Sequence, residues 1–416
     1  MTNEEEQFMP IHRTSTGTYR LDEIVVDAQH DQLVLDRLKS VTAGHDTDPV
    51  LGLTRLQLVD LGQFPLRPDL QTRLTGEPSV LDRVLFQLRE EFREEHHGWT
   101  PTMAKVRMYA EGTPYTGGGA GDPERLAPGE RVEIPARAST RGRRVRVGIL
   151  DCALYRHPQL DKRYLTDSAA FEQPADPPPA TLGHAVYLSG IVLQRAPGVE
   201  LVVRQALDGS NQVDSWTLAR TMAEFSHDVD ILLTSLGGAT WDDQPPFVLE
   251  RAESRLGCLH VASAGNWGSV TRAASYPSPT RESTIFPAAL PGVIAVGALD
   301  ETGERAAYSQ SGPWVDLMAP GRHDGLFLEH ARLLRRDETG VLRPGDPVGF
   351  DGVTRWEGTS AAAAYVAGGI AAVALERGVT IQEAAEALLS GDPYLARDVP
   401  AVAGVRPYAP ERDGYR

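Results

Sequence analysis

Cysteine is nearly absent: the 416 residues contain two, Cys152 and Cys258. That excludes a disulfide framework and permits a reducing compartment. No apolar run of about 18 residues free of charge occurs, so no membrane span is expected. Positive charge is in deficit, with 41 Lys and Arg against 57 Asp and Glu and a formal net charge of -16. A nucleic-acid partner, which needs clustered Lys and Arg, is therefore excluded. The opening "MTNEEEQFMP" is acidic and lacks the apolar core of a secretory signal, so a cytoplasmic location is expected. The pairs His96-His97 and His323/His330 lack zinc spacing. "GGGAGD" at 117–122 lacks the Gly-Lys-Ser/Thr ending of a phosphate loop. Neither metal nor cofactor is expected.

What remains is an ordinary globular composition, 41% hydrophobic with a mean hydropathy of -0.28. The length suits one large domain and a smaller one. Residues 1–110 mix strand-like and helix-like stretches: "DEIVVDA" (22–28), "HDQLVLDRLKS" (30–40), "LTRLQLVDL" (53–61), "SVLDRVLFQLREEF" (79–92) and "MAKVRMYA" (103–110). Ser79 is placed to cap the fourth of these. The sequence predicts a small α+β domain there. Residues 111–144, rich in Gly, Pro and Arg, read as a linker.

From 145 the pattern changes. Near-continuous apolar strands are predicted at 145–150, 199–207, 229–236, 258–264 and 292–299, alternating with helices at 184–194, 214–228 and 246–257. Such strands imply a parallel sheet covered on both faces, an α/β domain over 145–395 followed by a tail, 396–416. In these sheets reactive groups belong at the carboxyl ends of strands. Asp151 directly follows "VRVGIL", Ser235 ends "VDILLT" and Asn266 follows "CLHVASAG". His184 and Ser360 each open a helix, the second in "WEGTSAAAAYVAGGI" (356–370). Taken singly these are turn formers or caps. Together they make a carboxylate, imidazole, amide and hydroxyl set fit for nucleophilic catalysis.

At these residues the chain resembles the subtilisin-like serine proteases, or subtilases. "VGILDCA", "GHAVYLSGIV", "SLGG", "SAGN" and "GTSAAAAYVAG" are similar to that family's motifs, in its order Asp, His, Ser, over roughly 240 residues. The resemblance implies a serine endopeptidase acting on a peptide or protein substrate, a maturation-type enzyme of narrow specificity. It implies Ser360 as nucleophile, His184 as base, Asp151 as its orienter and Asn266 as oxyanion donor. Ser235, Leu236, Gly237, Ala264 and Gly265 would line the substrate cleft. It also implies that the N-terminal domain is an inhibitory prodomain, with a substrate-docking domain as the other reading. A catalytically weak or inactive binding protein on the same fold is the alternative class of function.

The chain departs from the family pattern at Cys152-Ala153, Ala185-Val186 and Ala364. Cys152 is expected to be a small buried thiol rather than a rival nucleophile. Trp267 is expected either to shape the cleft or to pack. "LQRAPGVEL" (193–201) lacks carboxylate or amide ligands before Glu200, so the family's calcium loop is expected to be absent. Residues 321–357 read as a long surface loop beside the cleft.

Overall fold

The computed structural model describes residues 11–14, 17–74, 76, 78–110, 121–136, 144–161, 163, 171–172, 177–209, 211–226, 228–240, 244–269, 279–281, 283–336, 342–392, 394 and 399–409. It divides into two compact units. One comprises Met1–Met108, Asp214–Ala223 and Pro246–Arg255; the other comprises Tyr109–Val213, Glu224–Pro245 and Leu256–Arg416.

In the first unit, β1 (Ile11–Thr14), β2 (Gly17–Asp27), α1 (Asp31–Leu38), β3 (Thr42–Asp48), β4 (Leu53–Leu58), α2 (Pro68–Gln71), α3 (Val80–Glu95) and β5 (Met103–Ala110) follow one another. The strands form an antiparallel sheet ordered β5-β2-β4-β3, with β1 on β2. α3 covers it, setting Leu81, Val84, Leu85, Leu88 and Phe92 against Ile24, Val26, Leu56 and Met103. Ser79 caps that helix in a capping box with Asp82. Burial alone would raise the Asp82 carboxyl, but hydrogen bonds from Lys105, Tyr19 and Ser79 hold it down at about 2. Residues 214–223 and 246–255 group here through ion pairs: Arg220 bonds Asp48 at 3.1 Å and Arg251 bonds Asp27 at 2.7 Å.

β3 was not expected. Its "TAGHDTD" carries no large apolar residue and alternates only between half-buried and exposed. Strand character comes from pairing with β4 at the sheet edge, which periodicity in one segment cannot reveal.

Beyond the first unit's strands the chain runs on through β6 (Arg146–Asp151), β7 (Leu154–Tyr155), β8 (Phe171–Glu172), α4 (His184–Arg195), β9 (Glu200–Gln205), β10 (Gln212–Asp214), α5 (Ser215–Ala223), β11 (Ile231–Thr234), β12 (Gly238–Ala239), α6 (Phe247–Glu253), β13 (Leu259–Ser263), β14 (Ile285–Phe286) and β15 (Val293–Leu299). Of these, α5 lies wholly, and α6 wholly, in the segments that group with the first unit. The chain continues through β16 (Leu317–Pro320), β17 (Arg322–Leu326), β18 (His330–Arg336), β19 (Leu342–Gly349), β20 (Val353–Glu357), α7 (Thr359–Arg377), α8 (Ile381–Ser390) and β21 (Arg406–Pro407).

The main sheet runs β21-β16-β15-β13-β11-β6-β9, parallel throughout except for β21. This is the parallel α/β sheet expected from the apolar strands, and the architecture that the resemblance to the subtilases implied. Strand order reverses at β6, whose neighbours are β9 and β11. A crevice at such a switch point is where open α/β sheets place their ligands.

Two expectations need correction. Residues 321–357 are not an irregular loop: β17 pairs with β20, and β18 with β19 inside that pair. Charged and proline-bearing stretches such as "HARLLRR" and "LRPGDPVG" hid these strands. Nor is 396–416 wholly a tail, since β21 extends the main sheet by pairing with β16. Residues 111–120 and 137–143 of the expected linker lie outside the described residues.

α7 explains the small-residue run that follows Ser360. Nearly every residue from Thr359 to Ala374 is buried, and the helix passes beneath β13, β15 and β16. A Cβ on Gly368 would fall 2.8 Å from the Arg195 side chain and 3.0 Å from the Val192 carbonyl of α4. Only glycine lets those two helices approach so closely.

Candidate active site

Asp151 is the last residue of β6 and is wholly buried. Its Oδ1 accepts the Cys152 N–H at 2.8 Å, which fixes the carboxylate at the strand end. Nδ1 of His184 lies 2.8 Å from Asp151 Oδ2 and 3.0 Å from Oδ1. A carboxylate can only accept from a neutral imidazole, so Nδ1 carries the proton and Nε2 is left basic.

Cys152 Sγ lies 3.4 Å from the Leu182 carbonyl, in the turn just before His184. The thiol is buried and links the strand end to that turn, the packing role expected of it. Gly183 leaves room for Phe327, whose ring would lie 2.4 Å from a Cβ there. His184 then opens α4.

Ser360 sits in the first turn of α7, where unpaired backbone N–H groups favour negative charge. Its level relative to His184 follows from the helix crossing. Gly368 meets Val192, and each lies eight residues beyond Ser360 and His184 respectively. At 1.5 Å per residue both side chains stand about 12 Å from that crossing, at one end of two helices. Trp356 independently joins the two ends, because its ring lies edge-to-face on His184, centroids 5.6 Å apart, four residues before Ser360. The Ser360 hydroxyl donates to the Ser235 carbonyl at 3.4 Å.

Asn266 follows β13 and is held by the next helix. The backbone N–H and the hydroxyl of Thr359 each donate to Asn266 Oδ1 at 2.9 Å. The Thr359 hydroxyl in turn accepts the Gly265 N–H at 3.0 Å. Gly265 has φ +105°, and a Cβ there would meet the Trp267 ring at 2.9 Å. Trp267 thus packs on the Gly265 turn. Ala264 is fully buried beneath it.

Ser235, Leu236 and Gly237 leave β11 and lead into β12, which pairs with β14. A Cβ on Gly237 would sit 2.6 Å from the Phe286 carbonyl, so no other residue fits. The ring of Tyr109 lies beside the next residue, with its Cδ1 3.0 Å from where a Cβ on Gly238 would be.

All nine expected site residues therefore fall at the carboxyl end of the main sheet or at the helix starts above it. The departures at Ala185, Val186 and Ala364 are buried and act in packing. Two residues at this site were assigned no role from sequence. Thr359 stands in the Gly-Thr-Ser motif, a signal that its hydroxyl could have been weighed. Trp356 carried no such signal. Among the described residues no group of three or more His, Cys, Asp or Glu could hold a metal ion.

Residues 142–387 match the model of the subtilase family, peptidase S8. Subtilisin E of Bacillus subtilis (strain 168) is 32% identical over 194 residues, 43% of this chain and 47% of that protein. Subtilisin BL of Lederbergia lenta is 30% identical over 208 residues, 46% of this chain and 70% of that protein. The chain spans about half the length of the first of these curated relatives. Fervidolysin from Fervidobacterium pennivorans, described as a keratinolytic enzyme related to subtilisin, shares the fold with a TM-score of 0.57 at 15% identity, over 95% of this chain and 63% of that one. On its matched family model, its relatives and its fold, this chain belongs to the subtilase family.

Proposed function

We propose that the protein is a serine endopeptidase in which Ser360 attacks the scissile carbonyl. His184 takes the serine proton through Nε2 and returns it to the leaving amine. Asp151 holds the imidazole tautomer and stabilises the imidazolium. The observation that carries this reading is the buried Asp151–His184 pair, at 2.8 and 3.0 Å, at the sheet's switch point. A solvated surface pair would serve no such purpose. Asn266 Nδ2 and the Ser360 N–H hold the oxyanion, the second aided by the start of α7.

Peptide or protein substrates, narrow maturation-type specificity and a cytoplasmic location belong to the same proposal. The N-terminal segment acting as an inhibitor belongs to the same proposal. Partners of other classes find little support. The net charge of -16 disfavours nucleic acid, and α7, long and apolar enough to cross a membrane, is 89% buried in the protein.

The test is Ser360→Ala. Turnover should fall on the order of 10⁶, the loss seen when subtilisin loses its triad serine. A fluorophosphonate should label wild type and not the variant. A variant retaining a tenth of wild-type turnover, or a wild type that never labels, would overturn the assignment.

A further inference from the structure

Residues 121–134, expected to be part of the linker, are bound along their length within the second unit. Glu124 and Arg355 of β20 exchange backbone hydrogen bonds at 2.8 and 2.9 Å, so the segment makes an isolated antiparallel bridge onto β20. The buried Thr354 hydroxyl donates to the same Glu124 carbonyl at 2.8 Å. Glu124 pairs with Arg322 at 2.7 Å and Asp122 with Arg335 at 2.5 Å. Further on, Gln159 grips the segment with both ends of its amide. Its Oε1 accepts from Ile134 N, its Nε2 donates to the Val132 carbonyl, and both bonds are 2.8 Å.

One of these contacts reaches the candidate active site. The indole N–H of Trp356 donates to the Gly121 carbonyl at 2.7 Å, and that tryptophan is 6% exposed. Its ring faces His184 on one side and meets Tyr187 and Phe327 on others, with centroids 5.5 and 5.9 Å away. The Tyr187 hydroxyl also donates to the Trp356 carbonyl at 2.6 Å. Body and backbone of Trp356 are thus held by the catalytic unit, but its N–H is satisfied only from the strap. If the strap lifts, that buried N–H loses its acceptor and the ring loses one of the contacts that hold it against His184.

We propose that residues 121–134 form a permanent strap of the catalytic unit and that Trp356 is a positioning residue, transmitting strap docking to the His184 ring. This rests on the reading of His184 as the base. An imidazole must shuttle a proton between serine and leaving group, and it does so only while its ring is held within a fraction of an ångström. The strap supplies part of that hold from a segment 235 residues distant in sequence.

The experiment is a double-mutant cycle in the full chain, using Trp356→Phe and the strap variant Asp122→Lys/Glu124→Lys, which faces Arg335 and Arg322 with like charge. Each should lower kcat on a small ester by about 3- to 10-fold, the value of an edge-to-face ring pair, with KM within about twofold of wild type. Combined, they should lower it no further, because both break one link. In ¹H NMR the His184 Nδ1 proton, bonded to Asp151, should exchange faster with water in both variants. Multiplying effects on kcat, a change confined to KM, or unaltered exchange of that proton would overturn the proposal. The exchange measurement needs no turnover. A wild type that failed to react with fluorophosphonate would refute the protease reading, while the proton would still decide the strap.

Discussion

Thr359 grips Asn266 twice, with its backbone N–H and its hydroxyl both donating to Oδ1 at 2.9 Å. Two donors on one atom settle which end of the amide is oxygen, since an NH₂ group there could accept neither. The donor end, Nδ2, is therefore the end that the proposed mechanism would turn to an oxyanion. The orientation is set before substrate arrives, which is what makes such a donor effective in the transition state.

Asn266→Ala should accordingly lower kcat by about 10²–10³ with little change in KM, the loss found when subtilisin loses its oxyanion asparagine. Asn266→Asp should be at least as damaging. Its carboxylate can still accept from Thr359 but offers no donor and brings a charge of the wrong sign. A change confined to KM would place Asn266 in ground-state binding instead.

Thr359→Val tests the grip separately. The backbone bond to Asn266 survives, while the hydroxyl bond is lost and the Gly265 N–H loses its acceptor. Leaving a buried donor unpaired costs about 1–3 kcal/mol, so thermal unfolding should move down by several degrees. If the hydroxyl also aims the amide, kcat should fall by about tenfold while KM holds. Thr359→Ser, which keeps the hydroxyl, should restore most of both. A valine variant with unaltered kcat would reduce Thr359 to a purely structural part.

Those residues differ in how far the sequence disclosed them. Asp151, His184, Asn266 and Ser360 were legible because each occupies a punctuation point, a strand end or helix start, where α/β folds place chemistry. The main sheet was legible for a related reason: strands buried on both faces are apolar almost throughout. β3 and the strands of 321–357 were not, because their partners rather than their own periodicity make them strands. Trp356 was opaque for the same cause, its role depending on Gly121 and on His184, neither near it in sequence.

Acid should expose a second histidine. His323 is held at about 4, chiefly by burial and also by the nearby Arg195 charge, against opposition from its bond to Pro320 and from Asp324. Its Nε2 lies 2.8 Å from the Pro320 carbonyl and its ring stacks on Tyr365. The folded state therefore keeps this ring neutral where the unfolded chain, near 6.5, takes up a proton. The sign follows: the contribution is fully present above about 6.5 and is lost as pH falls from there toward 4. At about 1.4 kcal/mol per unit, and allowing for partial exposure, the loss is on the order of 2 kcal/mol. Chemical denaturation at pH 7 and pH 4.5 should show His323→Gln losing less stability between the two than wild type. Equal losses would mean that His323 does not titrate as described.

Processing is the most consequential expectation, and the strap narrows where it can occur. If the N-terminal segment is an inhibitory prodomain, the protein's own serine must cut between it and the catalytic unit. Residues 121–134 are poor candidates for the cut, since Glu124, Val132 and Ile134 all have backbone groups bonded to the catalytic unit. A protease needs an extended, accessible backbone, and those bonds would have to break first. The bond cut should therefore lie between 111 and 120. Wild type should appear as two fragments, the larger one beginning at or before Gly121, as N-terminal sequencing would read, while Ser360→Ala stays a single chain. The smaller fragment, added back, should inhibit the larger. A cut inside 121–134 would contradict the strap. A wild type that stays whole and fully active would show instead that residues 1–110 dock substrates and restrain nothing.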